Sequence, residues 1–154
     1  MVRAYRVFGA GAFMLLSGLA SAGRVSAEAG LEKLEIKTAT GPHVLQVEVM
    51  RTQPDLEKGL MFRRFLPKDR GMLFDFKVEK PVEMWMKNTY ISLDMVFISH
   101  GGRVVGIARN AEPLSETIIP SGAAAAGVLE VNAGEADAIG LKVGDEVRHP
   151  LFKN

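Results

Sequence analysis

The 154-residue chain has no cysteine, one tryptophan, two tyrosines and three histidines. Without cysteine there is no disulfide, no thiolate metal site, no thiol nucleophile and no lipid-modified cysteine anchor. His43, His100 and His149 lie far apart, and none has the H-x-H or H-E-x-x-H spacing that sets two imidazoles on one metal. No G-x-S-x-G elbow raises a nucleophilic serine, and no G-x-G-x-x-G or Walker pattern cradles phosphate. No cofactor and no metal is therefore expected. Nor is charge of one sign in excess: nineteen basic residues stand against eighteen acidic ones. That balance offers no electrostatic footprint for nucleic acid and no polybasic stripe for a membrane surface.

Long apolar runs are also missing, with one exception at the N-terminus. Arg3 and Arg6 precede "VFGAGAFMLLSGLA" (7–20), and Ala20-Ser21-Ala22 then offers an A-x-A cleavage site. The run is too short and too glycine-rich for a comfortable membrane span, so a signal peptide over 1–22 is expected, cut after Ala22. Val25-Ser26-Ala27 is a second small-residue site. Cleavage after Ala22 removes two basic residues and leaves 17 against 18 acidic ones. The expected product is a periplasmic or secreted monomer, with residues 23–32 as a flexible leader and 33–154 as one β-rich domain. Such a chain is long enough to rest on its own core without staples.

What is present is a series of short strand signals. "LEIKT" (34–38) and "VLQVEVM" (44–50) alternate apolar and polar residues around the break at Gly41-Pro42. Thr52 with Asp55 resembles a capping box, and Gly59 is a stop, so a short helix is expected between them. "PKDRG" (67–71) reads as a turn before "MLFDF" (72–76), and the Gly-Gly pair in "HGGR" (100–103) as a hairpin turn between two β-rich runs. "PSGAAAAG" (120–127) reads as a small-residue loop, "VLEVNAG" (128–134) as a strand, "EADAIG" (135–140) as a one-turn helix and "GDEV" (144–147) as a turn into a last strand. The pattern predicts a mainly β, single compact antiparallel sandwich or barrel-like domain with one or two short helices.

"GLMFR" (59–63), "GMLFDF" (71–76), "MWMKNTYISLDMVFI" (84–98), "VVGIARNAEPLS" (104–115), "VLEVNAGEA" (128–136) and "GLKVGDEV" (140–147) occur in that order. In them the chain resembles the domain of unknown function 192 family, also called uncharacterised protein family 0127, from about Leu34 to His149. The resemblance implies a compact β-rich domain, often exported in bacteria, with no established activity. Ser92 stands where that family usually has proline. A second likeness is local: "GVLEVNAGEADAIGLKVGDEV" (127–147) is similar to a stretch inside PDZ domains. Only seven residues follow Val147, too few for the strand and groove helix a PDZ domain needs next.

The candidate chemistry concentrates in "MWMKNTYISLDM" (84–95). If 83–89 is a strand, Met84, Met86 and Asn88 face one way and Glu83, Trp85, Lys87 and Thr89 the other. The methionine face reads as core, although two thioethers on one face also suit Cu(I). The opposite face sets an aromatic plate beside a cation, able to stack on a ring or sugar and pair with an anion, or simply to pack under a loop while Lys87 pairs with Asp94. Asp94 lies among apolar residues, as a cap to the Asn88-Thr89 turn or as a general base. Arg63 either anchors a buried acid such as Glu130 or offers its fork to a ligand anion. The sequence is thus read as a non-catalytic binder of a small molecule, glycan or peptide, through Arg63, Trp85, Lys87 and Asn88 with Asp94 and Glu130 in support. A cell-envelope hydrolase or lyase using Asp94 or Glu130 is the alternative, and a structural partner of an envelope assembly is a third reading.

Overall fold

The computed structural model describes residues 30–153. The signal peptide read over 1–22 and the leader up to residue 29 lie outside the described residues. Strand β1 (Leu31–Thr38) begins two residues before the domain start expected at 33. It turns back into β2 (Gly41–Met50), and helix α1 (Gln53–Lys58) follows, with Thr52 Oγ1 accepting the Asp55 N–H at 3.4 Å. Then come β3 (Arg70–Met84), β4 (Leu93–Ile98), β5 (Val104–Ala111), β6 (Ile119–Asn132), the short α2 (Glu135–Ala138) and β7 (Glu146–Arg148).

The seven strands form one curled sheet, a half-barrel, in the order β5-β4-β6-β3-β2-β1-β7. Its two edges touch at the bridge between Arg103 and Glu146, where the Val147 N–H donates to the Gly102 carbonyl at 2.7 Å. All pairs are antiparallel except β2 with β3, which are parallel. The crossover holding α1 returns the chain to the same end of the sheet, which a tight hairpin cannot do.

Alternation sorts the apolar side chains into two cores, one on each face. Inside the curl lie Leu34, Ile36, Leu45, Val47, Leu73, Val96, Ile98, Leu129, Val131 and Val147, closed off by α2 and Phe152. On the other face Met72, Phe74, Met95, Phe97 and Val128 are covered by Leu60, Leu66 and Met86 from the connecting segments. Strand β4, between β5 and β6, is buried at all six positions, as a strand covered on both faces must be.

Two expectations change. Residues 120–127 are not a loop but the first half of β6. Their smallness serves close approach: a Cβ on Gly127 would lie 2.9 Å from the Phe74 carbonyl oxygen, and Ala125 and Ala126 are buried. The strand expected over 83–89 ends at Met84. The alternation survives to the fully buried Met86, and the chain then turns at Lys87-Asn88, with Asn88 at φ 55°. Met72, Met86 and Met95 are all fully buried packing residues.

Candidate functional site

Asp94 points into the curl and is fully buried. One carboxylate oxygen accepts the Asn110 N–H at 2.8 Å and the other the Ala136 N–H at 2.9 Å. Ala136 lies in the first turn of α2, whose N-cap is Gly134, a residue with no side chain to offer. Asp94 supplies that missing cap from a neighbouring strand. It therefore caps α2 and holds Asn110 at φ 52°, rather than capping the Asn88-Thr89 turn or pairing with Lys87.

Arg63 leaves the Trp85 region altogether. Its guanidinium forks onto Glu48 at 2.5 and 2.7 Å, and holds that carboxyl below the usual carboxylate range. It does not anchor Glu130, and it does not share a crevice with Trp85. Lys87 stays with Trp85: its Nζ sits 5.2 Å from the ring centroid and 3.9 Å from Glu116. Trp85 is 45% exposed. Asn88 works through its backbone, its carbonyl accepting the Phe62 N–H at 2.8 Å, while its side-chain amide approaches the Met61 sulfur at 3.9 Å. The next carbonyl, that of Thr89, accepts the Leu114 N–H at 3.0 Å. Phe62, Asn88 and Leu114 all have positive φ (65°, 55° and 64°), so this joint between three segments holds backbone that bulky residues seldom adopt.

Beneath that joint lies Glu130. On its strand ladder it faces Met72 of β3 on one side and Met95 of β4 on the other, both fully buried. Glu130 is 4% exposed, and no described residue donates a hydrogen bond to its carboxyl. Burial alone pushes its pKa up to about 8, so the group is mainly protonated at neutral pH. The carboxyl opens onto a cleft of about 30 Å³, room for one or two waters. The end of α1 and residues 59–61 form one wall, Met84, Trp85 and Thr89 the other, and Phe74 shares the floor. Leu56, Glu57, Met84 and Trp85 continue into an outer groove of about 360 Å³, which adds Gln53, Phe76, Lys80 and Glu83. Gly59 makes the wall fit: a Cβ there would stand 2.9 Å from the Phe74 ring.

Of the residues singled out in the sequence, the structure brings Trp85, Lys87 and Glu130 to this cleft and its rim, with Asn88 fastening its edge. Arg63 and Asp94 are elsewhere. Thr89, which strand alternation set beside Trp85, lines the cleft as well, while nothing in the sequence places the short helix α1 as its wall. Glu130 does carry one, being an acid inside "VLEV" in a strand whose neighbours on both faces are apolar. The segments "GLMFR", "GMLFDF", "MWMKNTY" and "VLEVNAG" each place a residue in the cleft. Ser92 ties its turn to the sheet by a hydroxyl bond to the Ala111 carbonyl at 3.0 Å.

No curated protein matches the chain. Among solved structures, one from Sinorhizobium meliloti 1021, described as a candidate transcription regulator, is 45% identical, with a TM-score of 0.77, over 79% of this chain and 95% of that one. A protein of unknown function from Novosphingobium aromaticivorans DSM 12444 is 38% identical, with a TM-score of 0.75, over 77% of this chain and 85% of that one. The profile of the family DUF192, described as an uncharacterized ACR, matches residues 34–149, and the chain belongs to that family.

Proposed function

We propose that this protein is an exported, non-catalytic binding module whose site is the groove between α1 and Met84-Trp85. One observation carries the reading. The single tryptophan stands half-exposed at the junction of an open groove and a narrow cleft, and at the bottom lies a buried carboxyl to which no described residue donates a hydrogen bond. The trough sets Leu56, Phe76, Met84 and Trp85 beside Gln53, Glu57, Lys80 and Glu83, so it offers a small ligand or peptide apolar surface together with polar groups that fix orientation. Export is supported by the basic, apolar and A-x-A sequence of residues 1–22. The regulator description belongs to the Sinorhizobium protein; the two helices among the described residues, six and four residues long, are short for a groove-reading element.

Because Trp85 is the only tryptophan, its fluorescence reports on this site alone. Titration of the purified protein with chitotriose, short peptides and n-alkyl compounds should give a saturable change with at least one class. Measured by calorimetry, since the variant lacks the fluorophore, Trp85→Ala should cut the affinity tenfold or more while the melting temperature falls by only a few degrees. No saturable response to any of them, with Trp85→Ala and Lys87→Ala acting only on melting temperature, would point to a structural partner instead.

A second reading, a hydrolase or lyase with Glu130 as general acid, is favoured by the protonated state of that buried carboxyl. Asp94 offers no such role, since both its oxygens are occupied inside the opposite core. Glu130→Gln would abolish turnover and leave affinity intact in an enzyme.

A further inference from the structure

We propose that the Glu130 cleft is a primary-amine site, taking the ammonium head of a ligand on an aliphatic stem, such as a lysine side chain presented by a peptide. This deepens the groove reading above and rests on it. A carboxylate is an acceptor with about four lone-pair positions, and buried ones are normally filled by donors. For Asp94 the protein supplies two N–H groups; for Glu130 no described residue supplies one. Beyond the one or two waters the cleft has room for, donors come from a ligand, and an ammonium brings three.

The shape agrees. The inner space of about 30 Å³ admits a head group and little more. Leu56, Phe74 and Met84 line the approach with apolar surface suited to methylenes, and the groove of about 360 Å³ beyond has room for the body from which the stem hangs. The charged groups facing this path are Glu57 and Lys58 from α1, and Lys80 and Glu83 from β3, with Lys87 over Trp85 at the rim, 3.9 Å from Glu116. The strands flanking Glu130 present Met72 and Met95, which carry no charge. Lys58 borders the cleft without pairing with Glu130. It is a rival cation at the mouth.

Proton balance gives the proposal its signature. An alkylammonium keeps its own proton, so pairing requires Glu130 to ionise and release its proton to solvent. With the carboxyl titrating near 8, apparent affinity should rise about tenfold per pH unit from pH 6 and level off above pH 8. The probes are n-pentylamine and, as an uncharged control, n-pentanol, followed by Trp85 fluorescence and by calorimetry in two buffers of different ionisation enthalpy. Pentylamine should bind at pH 7 with release of nearly one proton. Glu130→Gln should weaken it at least tenfold at pH 8 and flatten the pH slope, leaving pentanol unchanged. Lys58→Gln should tighten it severalfold. If pentylamine and pentanol perturb Trp85 equally, with no proton release, the amine site is refuted and the groove reading stands. If neither compound binds, the amine site is refuted, and the groove reading falls too unless glycan or peptide still perturbs Trp85.

Discussion

Asp94 and Glu130 sit one rung apart on adjoining strands, Asp94 opposite Val131 and Glu130 opposite Met95. They look alike in the sequence, single acids inside apolar strand runs. Because successive residues of a strand face opposite ways, one enters the curl and the other the outer core. Inside the curl, backbone N–H groups from β5 and α2 reach Asp94, and the carboxylate becomes a structural post. On the other face, methionines flank Glu130 and the covering segments leave a cleft above it. The lesson is that burial of an acid decides nothing by itself. What decides its role is whether the fold brings donors to it.

The largest way to break this contrast is to remove the post. Asp94→Ala strands two buried N–H groups and uncaps α2, and should cost on the order of 4 kcal/mol in denaturant unfolding, with Asp94→Asn costing about half as much. Glu130 should behave in the opposite sense. Its folded pKa, about 8, lies above the ordinary 4.5, so the folded protein binds more protons than the unfolded chain between those values. Stability attributable to this group is therefore present in acid and is lost as pH rises from about 4.5 to 8. Glu130→Gln should be near neutral at pH 5 and stabilising by roughly 3–4 kcal/mol at pH 8. A flat difference across that range would show that the carboxyl finds donors in solution.

Smaller effects sharpen the boundary of the site. Gly59→Ala adds a Cβ against the Phe74 ring at a residue with φ 46°, and should lose about 2 kcal/mol and distort the cleft wall. Arg63→Ala should cost no more than about 1 kcal/mol, since its pairing with Glu48 is partly exposed, and should leave Trp85 fluorescence unchanged.

Much of the frame was legible in the chain. Alternation in 34–38 and 44–50 reports two half-buried strands, Thr52 and Gly59 bracket a helix, and Gly101-Gly102 marks the β4–β5 turn. Residues 120–127 misled because alanine and glycine look alike whether a segment is loose or pressed against a neighbouring backbone. The site was legible in part. Trp85 and Lys87 announce themselves by residue type, yet nothing local says that the Arg63 guanidinium is claimed by Glu48, fifteen residues away. The different fates of Asp94 and Glu130 depend on which loops and helices cover each face, which is a tertiary fact. Gly134, a helix cap with no side chain, becomes intelligible only when Asp94 is seen to fill the gap.

The most direct measurement is the titration of the Glu130 side-chain carboxyl by carbon NMR, assigned with Glu130→Gln, with and without n-pentylamine. A midpoint near 8 is expected in the free protein, moving downward as the amine binds. A midpoint near 4.5 in the free protein would mean that Glu130 already has its donors, and would contradict the contrast with Asp94.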